Sequence, residues 1–290
     1  MYAAPFEYYR ATTLAEAHQL LKAHPDAKLR AGGHSLIPLM KLRLAQPDTV
    51  VDIGRISELK GITVQRDGLL RIGALTTHAE IAASADVQRG APALAEAAGL
   101  VGDPTVRNRG TIGGNVAHAD PASDLPTVLL ISGARFVTAG PAGERTIPVD
   151  DFFKGLMTTA LRDDEVLTAV LVEPIKRGEG SAYEKWAHPA SRYAVVGGAA
   201  TVAVRDGVCA SARVAVGGLT PRCTRAKAVE AALAGKPLTT ESIAAASAAI
   251  TGDIGGDLLG DVYASAAFRG SMAPVYVARA IAAAAGRARA

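Results

Sequence analysis

Apolar residues recur at helical spacing early in the chain. Leu14, Ala17, Leu20 and Leu21 fall on one face of a segment that runs to about His24. Its start carries Thr13-Leu14-Ala15-Glu16, the capping-box spacing in which a hydroxyl and a carboxylate satisfy free amides of a first turn. After Pro25-Asp26 the pattern predicts a short strand over 28–31, the turn Gly32-Gly33-His34-Ser35, an apolar helical segment over 36–44 and a strand over 49–53. That order describes a small βαβ-like unit with a glycine-rich turn.

The rhythm changes from Gly61 onward. Residues 62–65 and 69–73 read as two strands around Arg66-Asp67-Gly68. Thr77-His78-Ala79-Glu80 repeats the capping-box spacing, and alanine-rich helical sequence continues to about Leu100, interrupted near Gly90-Ala91-Pro92. The polar, glycine-rich run 102–124 is predicted to be an irregular loop with a function. Beyond it, 127–132 reads as a buried helix, 135–138 as a strand, and 165–172 as a strand ended by Glu173-Pro174. Residues 193–204 and 208–216 flank Asp206-Gly207, a pair that supplies the positive φ angles of a two-residue hairpin turn. Helical stretches over 225–233, 241–250 and 273–286 complete a third module, with no internal repeat or low-complexity linker in the chain.

Composition narrows the class. With 290 residues, 49% hydrophobic and 20% charged, the chain suits a globular protein of two or three modules. The 31 basic and 28 acidic residues leave a formal charge of +3, too small a field to indicate nucleic acid or a membrane surface. No apolar run approaches the ~18–20 residues of a membrane span, and the start MYAAPFEYYR lacks a leader pattern, so a cytoplasmic protein is expected. Cys209 and Cys223 are too few for a disulfide framework, a zinc finger or an iron–sulfur cluster, so cluster chemistry must belong to a partner. Histidines at 18, 24, 34, 78, 118 and 188 show no metal-ligand spacing, and no nucleophile elbow or evident acid pair is present.

The candidate chemistry lies in two glycine pairs. Gly32-Gly33, between a strand and a helix, lets backbone amides converge on an anion without Cβ atoms in the way. Thr111-Ile112-Gly113-Gly114-Asn115 has the same character, with side-chain donors at both ends. One such pair alone is more often only a tight turn; two together can clamp one pyrophosphate. Neither matches the G-x-G-x-x-G of a dinucleotide-binding unit or the G-x-x-x-x-G-K-[ST] of a P-loop.

Ala31-Gly32-Gly33-His34-Ser35-Leu36-Ile37-Pro38-Leu39-Met40-Lys41 and the run from Thr111-Ile112-Gly113-Gly114-Asn115 to Asp124-Leu125-Pro126 resemble the paired flavin motifs of a known family. It is that of the FAD-binding medium subunits of aerobic carbon monoxide dehydrogenase-like molybdenum hydroxylases, relatives of xanthine dehydrogenase. Tyr183-Glu184-Lys185, the run from Pro189 to Gly197 and Tyr263-Ala264-Ser265-Ala266-Ala267-Phe268-Arg269 extend the resemblance over essentially the whole chain. It implies an α+β protein with a vanillyl-alcohol-oxidase/PCMH-type FAD-binding fold and a C-terminal α+β domain of the CO dehydrogenase flavoprotein type. Domains are expected at 1–57, 58–177 and 178–290, with FAD between the first two. It further implies a large subunit holding molybdenum cofactor and a small subunit holding two [2Fe–2S] clusters. In that plan this chain passes electrons through FAD to an external acceptor such as a quinone. A dimer of heterotrimers and peripheral membrane association through the quinone follow from the same resemblance. The substrate of the whole complex stays open between carbon monoxide and a heteroaromatic or other organic molecule. A structural, FAD-dependent assembly module is the alternative of another class, and a free-standing flavin oxidase lacks a visible acid or base.

The expected cofactor contacts are the amides of Gly32, Gly33, His34 and Ser35, flanked by Ala31 and Leu36. Gly113, Gly114 and Asn115 are expected to complete the clamp, with the Thr111 hydroxyl beside them. The resemblance adds Asp124, which by local sequence reads equally as a helix N-cap, and the backbone of Leu167, otherwise a buried strand residue. Lys185 is expected to place a cation near the flavin, against the plain reading of a surface lysine. Tyr193 is expected to cover one flavin face, against an ordinary core tyrosine. No residue of this chain is expected to act as acid, base, nucleophile or metal ligand.

Overall fold

The computed structural model describes residues 1–288, whose strands fall into three main sheets and a small two-stranded one. The first sheet runs β1 (Glu7–Arg10), β3 (Thr49–Asp52), β2 (Lys28–Arg30), all parallel. Helix α1 (Leu14–Ala23) starts where the Thr13 hydroxyl accepts from Glu16 N, at 3.1 Å. The Glu16 carboxylate reaches one residue further back than a capping box requires, to Thr12 N at 2.7 Å. Ala17 and Leu21 bury the predicted face. Helix α2 (Leu36–Lys41) stops short of residue 44, because Arg43 turns to a φ of 59°. Strand β1 has no counterpart in the apolar pattern: Glu-Tyr-Tyr-Arg shows no alternation, and pairing with β3 holds it.

The second sheet is antiparallel. Strands β4 (Ile62–Val64) and β5 (Leu70–Gly73) form the predicted hairpin, and Thr77 caps α3 (His78–Ala83) with a complete capping box. Helices α4 (Ala85–Gly90) and α5 (Pro92–Leu100) follow. The run from 102 to 124 is not the irregular loop expected: it holds α6 (Pro104–Arg107) and α7 (Ile112–His118) and opens α8 (Asp124–Ile131). Side-chain caps explain the difference, Asp103 accepting from Val106 N at 2.9 Å and Thr111 from Gly114 N at 3.1 Å. Then come β6 (Arg135–Gly140), β7 (Gly143–Pro148), α9 (Val149–Phe152), the two-stranded ribbon β8 (Phe153–Gly155) and β9 (Thr158–Thr159), and β10 (Val166–Val172). Their order in the sheet is β4-β5-β10-β6-β7. The apolar core of this part gathers Ile72, Leu94, Ile112, Leu125, Leu129 and Phe136, all fully buried.

The third sheet takes β11 (Glu179–Ala187), β12 (Ala194–Arg205), β13 (Val208–Gly217) and β14 (Thr224–Arg225) in chain order. Asp206 and Gly207 make the predicted turn with φ of 50° and 78°. Helices α10 (Lys227–Leu233), α11 (Thr240–Ser247) and α12 (Ile250–Ile254) lead to α13 (Ala266–Ala288), which packs along β11 and β12. The last helix begins well before residue 273. Pro274, second in the stretch expected at 273–286, stands inside the helix. Cys209 and Cys223 are buried and unpaired, and burial pushes the Cys223 thiol up to about 12. Among the described residues, no helix is long and apolar enough to cross a membrane.

Candidate functional site

A cavity of about 480 Å³ is walled by strand residues of the first two sheets, by helix and turn residues and by the turn between β11 and β12, a size that suits a small-molecule or cofactor site. Ala31, Gly32, Gly33, His34, Ser35 and Leu36 form one side of it, directly after β2. Gly33 has a φ of +79°, a left-handed conformation that a side chain would strain. The amides of Gly32, Gly33, His34 and Ser35 meet no hydrogen-bond acceptor among the described residues. The turn therefore has the open donors that an anion requires. Arg30, just before it, is held elsewhere, its guanidinium 2.5 Å from Asp52 Oδ2.

The second glycine pair is built differently. Gly113 and Gly114 lie in the first turn of α7, with Thr111 as the cap, and not in a loop. Ile112 N donates to Thr76 O (3.0 Å), Gly113 N to Ala74 O (2.8 Å), Gly114 N to Thr111 Oγ1 (3.1 Å) and Asn115 N to Thr111 O (3.0 Å). A symmetric clamp of free amides is thus corrected: these donors are already used. A Cβ on Gly113 would stand 2.5 Å from the Ala74 Cβ, so that glycine permits close packing of α7 on the residue following β5. What this side presents to the cavity is a face without a side chain at Gly114, the Thr111 hydroxyl and the Asn115 amide. Asn115 is itself fixed by the Ser123 hydroxyl, at 2.6 Å from Nδ2 and 2.9 Å from Oδ1.

Asp124 also lines the cavity, as the first residue of α8 and not its cap, which is Ser123. Its carboxylate accepts from the Tyr183 hydroxyl at 2.6 Å and from Lys185 Nζ at 2.9 Å. Lys185 Nζ donates in addition to the carbonyls of Leu100 (3.0 Å) and Arg192 (2.7 Å), and its side chain is 2% exposed. Lys185 is therefore not a cavity-facing cation. It stands behind Asp124 and ties β11 both to α8 and to the turn that precedes Tyr193. Burial raises the Asp124 carboxyl and lowers the Lys185 ammonium, while their mutual attraction opposes both shifts.

Ser191, Arg192 and Tyr193 bring the third part of the chain to the cavity. The turn closes through His188 N to Tyr193 O and Arg192 N to His188 O, both 2.8 Å, with Arg192 at a φ of 60°. Tyr193 is 41% exposed, too open for a core tyrosine. Burial of its phenol, with Asp120 nearby, pushes it above the usual range, while a Ser35 hydrogen bond pulls the other way. Leu167 lines the cavity beside Val166 at a bulge, where β10 slips register against β6 between Leu167 and Ala169.

The structure thus brings together every expected site residue except Lys185. It adds Gly102 and Val106, from the run 102–124 already singled out as functional, and His78, Val101 and Met157, for which the sequence offered no pointer beyond the capping box that starts at Thr77. Among the described residues, no cluster of histidine, cysteine or carboxylate side chains is arranged to hold a metal ion. The donor set fits a cofactor with a negatively charged linker: four open amides on one side, and on the other polar groups at Thr111, Asn115 and Asp124 already engaged within the chain.

Residues 4–173 match the family described as "FAD binding domain in molybdopterin dehydrogenase", and residues 181–284 that described as "CO dehydrogenase flavoprotein C-terminal domain". The chain is 42% identical over 270 residues to the carbon monoxide dehydrogenase medium chain of Hydrogenophaga pseudoflava, covering 92% of this chain and 94% of that one. It is 36% identical over 287 residues to the 6-hydroxypseudooxynicotine dehydrogenase complex subunit alpha of Paenarthrobacter nicotinovorans, covering 98% and 96%. Among solved structures it is similar to the carbon monoxide dehydrogenase from Hydrogenophaga pseudoflava, with a TM-score of 0.94 at 42% identity over 99% of both chains. It is also similar to quinoline 2-oxidoreductase from Pseudomonas putida 86, with a TM-score of 0.93 at 33% identity over all of both chains.

Proposed function

Since the chain belongs to the family of FAD-binding subunits of molybdopterin dehydrogenases, we propose that it carries electrons from partner iron–sulfur clusters to an external acceptor such as a quinone. Bound FAD would supply the conversion between one- and two-electron transfer. The observation that carries the reading is the cavity itself, where open amides from the turn after β2, Asp124 from the start of α8 and Tyr193 from the turn between β11 and β12 are gathered. The amides of Gly32, Gly33, His34 and Ser35 hold the diphosphate, and Ala31 and Leu36 shape the turn. Thr111, Gly114 and Asn115 close the other side, Gly113 having the packing role. Asp124 and the Leu167 backbone orient the cofactor, and Tyr193 covers one flavin face. Domain limits at 57/58 and 177/178 are supported by three main sheets that share no strand.

Relatives described as medium chains and as subunits of complexes support assembly with other chains. We assign the partners as a large molybdenum-cofactor subunit and a small subunit with two [2Fe–2S] clusters, arranged as a cytoplasmic dimer of heterotrimers that meets the membrane through its quinone. Carbon monoxide is the favoured substrate of the whole complex, on the 42% identity to a carbon monoxide dehydrogenase chain. The test is anaerobic addition of carbon monoxide to the purified complex while flavin absorbance is followed. Bleaching is expected. Bleaching only by a heteroaromatic or other organic substrate would overturn the carbon monoxide assignment and keep the electron-transfer role.

A further inference from the structure

His78 is the first residue of α3, and its backbone N–H donates to the Gly110 carbonyl at 3.0 Å. The residue is 3% exposed, and it lines the cavity near His34, Val101, Gly102 and Gly110. One edge of the ring lies over Gly110, where a Cβ would stand 2.8 Å from Cδ2 and 2.9 Å from Nε2. Nδ1 is sealed from solvent with no hydrogen-bond partner among the described residues. Nε2 makes no hydrogen bond to them either, but it is not sealed, so it is the ring nitrogen a molecule in the cavity can reach.

An imidazole buried with neither nitrogen bonded is unfavourable unless something outside the chain completes it. Arg107 does not: its Nη1 donates to the Val101 and Gly102 carbonyls at 3.0 and 3.1 Å. Burial, with His34 and Arg107 adding in the same direction, pushes the ring down to about 4. It is therefore neutral near pH 7 and offers one N–H donor and one lone pair. The sealed position of Nδ1 suits the lone pair, and the open Nε2 suits the N–H.

We propose that His78 is a cofactor-binding residue whose Nε2–H donates a hydrogen bond to an acceptor oxygen of FAD, in the part of the cavity beside Gly110. This rests on the reading of the cavity as the FAD site. The full chain and three variants are titrated with FAD, following flavin fluorescence, and each is melted without FAD. His78→Gln sets an amide near the position of Nε2, His78→Asn near that of Nδ1, and His78→Leu fills the space with no donor.

Expected is binding within about twofold of the unaltered chain for His78→Gln and roughly tenfold weaker for His78→Asn and His78→Leu, the scale of one hydrogen bond lost. Without FAD, His78→Leu is expected to melt no lower than the unaltered chain, since no bond within the protein is removed. Nitrogen NMR of labelled histidine adds a direct signature, a shift of the His78 Nε2 resonance when FAD is added. Equal FAD affinity in all three variants, or a melting loss in His78→Leu that accounts for its weaker binding, overturns the proposal. Failure of the unaltered chain to take up FAD overturns the reading of the cavity as well, so the two failures are distinguishable.

Discussion

Along one wall of the cavity, the amides of Gly32 to Ser35 have no acceptor among the described residues, while along the other, donors and acceptors are matched within the chain. There Thr111 holds Gly114 N, Ser123 holds Asn115, and Tyr183 and Lys185 hold Asp124. Both walls contain a Gly-Gly pair, so the dipeptide does not decide which role is filled. What precedes it does. The first pair follows a strand that has already ended, and its amides point at nothing in the protein. The second sits under a threonine cap and against the Ala74 carbonyl, which takes the Gly113 amide; close packing does not separate the pairs, since a Cβ would clash at Gly32 against the Arg109 carbonyl as it would at Gly113 against Ala74. The open wall is arranged for a ligand and the matched wall for the fold, and substitutions on each should separate along that line.

The largest effect is expected on the matched wall. Lys185→Met leaves the Asp124 carboxylate buried with only the Tyr183 hydroxyl, and loss of one partner of a buried pair costs about 3–5 kcal/mol. Urea unfolding of the full chain without FAD measures it. The loss should shrink on acidification. Asp124 has a folded-state pKa above its unfolded value, so its contribution favours the fold below that unfolded value and is lost as pH rises through the folded one. Without Lys185 the shift grows, and protonation then relieves the buried charge. A variant as stable as the unaltered chain near pH 7 would show that the pair does not support this wall.

Gly113→Ala is expected to come next. Its Cβ would meet the Ala74 Cβ at 2.5 Å and the Ala74 carbonyl oxygen at 2.7 Å, so α7 or the segment after β5 must shift. Overpacking of this kind costs about 1–3 kcal/mol. FAD binding should follow the folded fraction, with no separate loss, because the Gly113 amide is already committed to Ala74. A variant of full stability with weakened FAD binding would place Gly113 with the open wall.

The positions of both glycine motifs, the hairpin at Asp206-Gly207 and the capping box at Thr77 were legible from residue type and spacing, because each depends on neighbours within a few residues. What the glycine amides do was not. The acceptor of Gly113 N, the Ala74 carbonyl, lies more than thirty residues before it in sequence, and the Thr76 carbonyl that takes the neighbouring Ile112 N lies as far away; only the Thr111 hydroxyl that takes Gly114 N is local. Lys185 was misplaced for the same reason: its partners come from Leu100, Asp124 and Arg192, and only the packed sheet brings them to one ammonium. His78 reads locally as the first residue of a capped helix. Its burial beside the cavity comes from the approach of Gly110, which no local pattern encodes. Strand β1 and the early start of α13 were hidden by an unalternating Glu-Tyr-Tyr-Arg and by Pro274, and both are held by packing against distant elements.

The sharpest comparison of the two glycine pairs uses Gly33→Ala, for which the smallest stability effect is expected. A Cβ at the φ of +79° is strained by about 1–2 kcal/mol if the turn keeps its shape, and it would meet the Ile37 Cδ1 at 2.7 Å. Because the amides of this turn hold no bond within the protein, the bonds that Ile37 N and Leu39 N make to the Gly33 and Ser35 carbonyls are what resist a shift, and a small relaxation that keeps them loses little. The apo chain is therefore expected to lose under about 1 kcal/mol, less than the strain of the unrelaxed turn. Relaxation, however, spoils the convergence of the amides, so FAD affinity is expected to fall further than stability does. Thermal melts without FAD and FAD titration of the same sample measure the two quantities. If Gly33→Ala costs as much stability as Gly113→Ala and binds FAD normally, the turn is a structural element like its counterpart, and the distinction between an open and a matched wall fails.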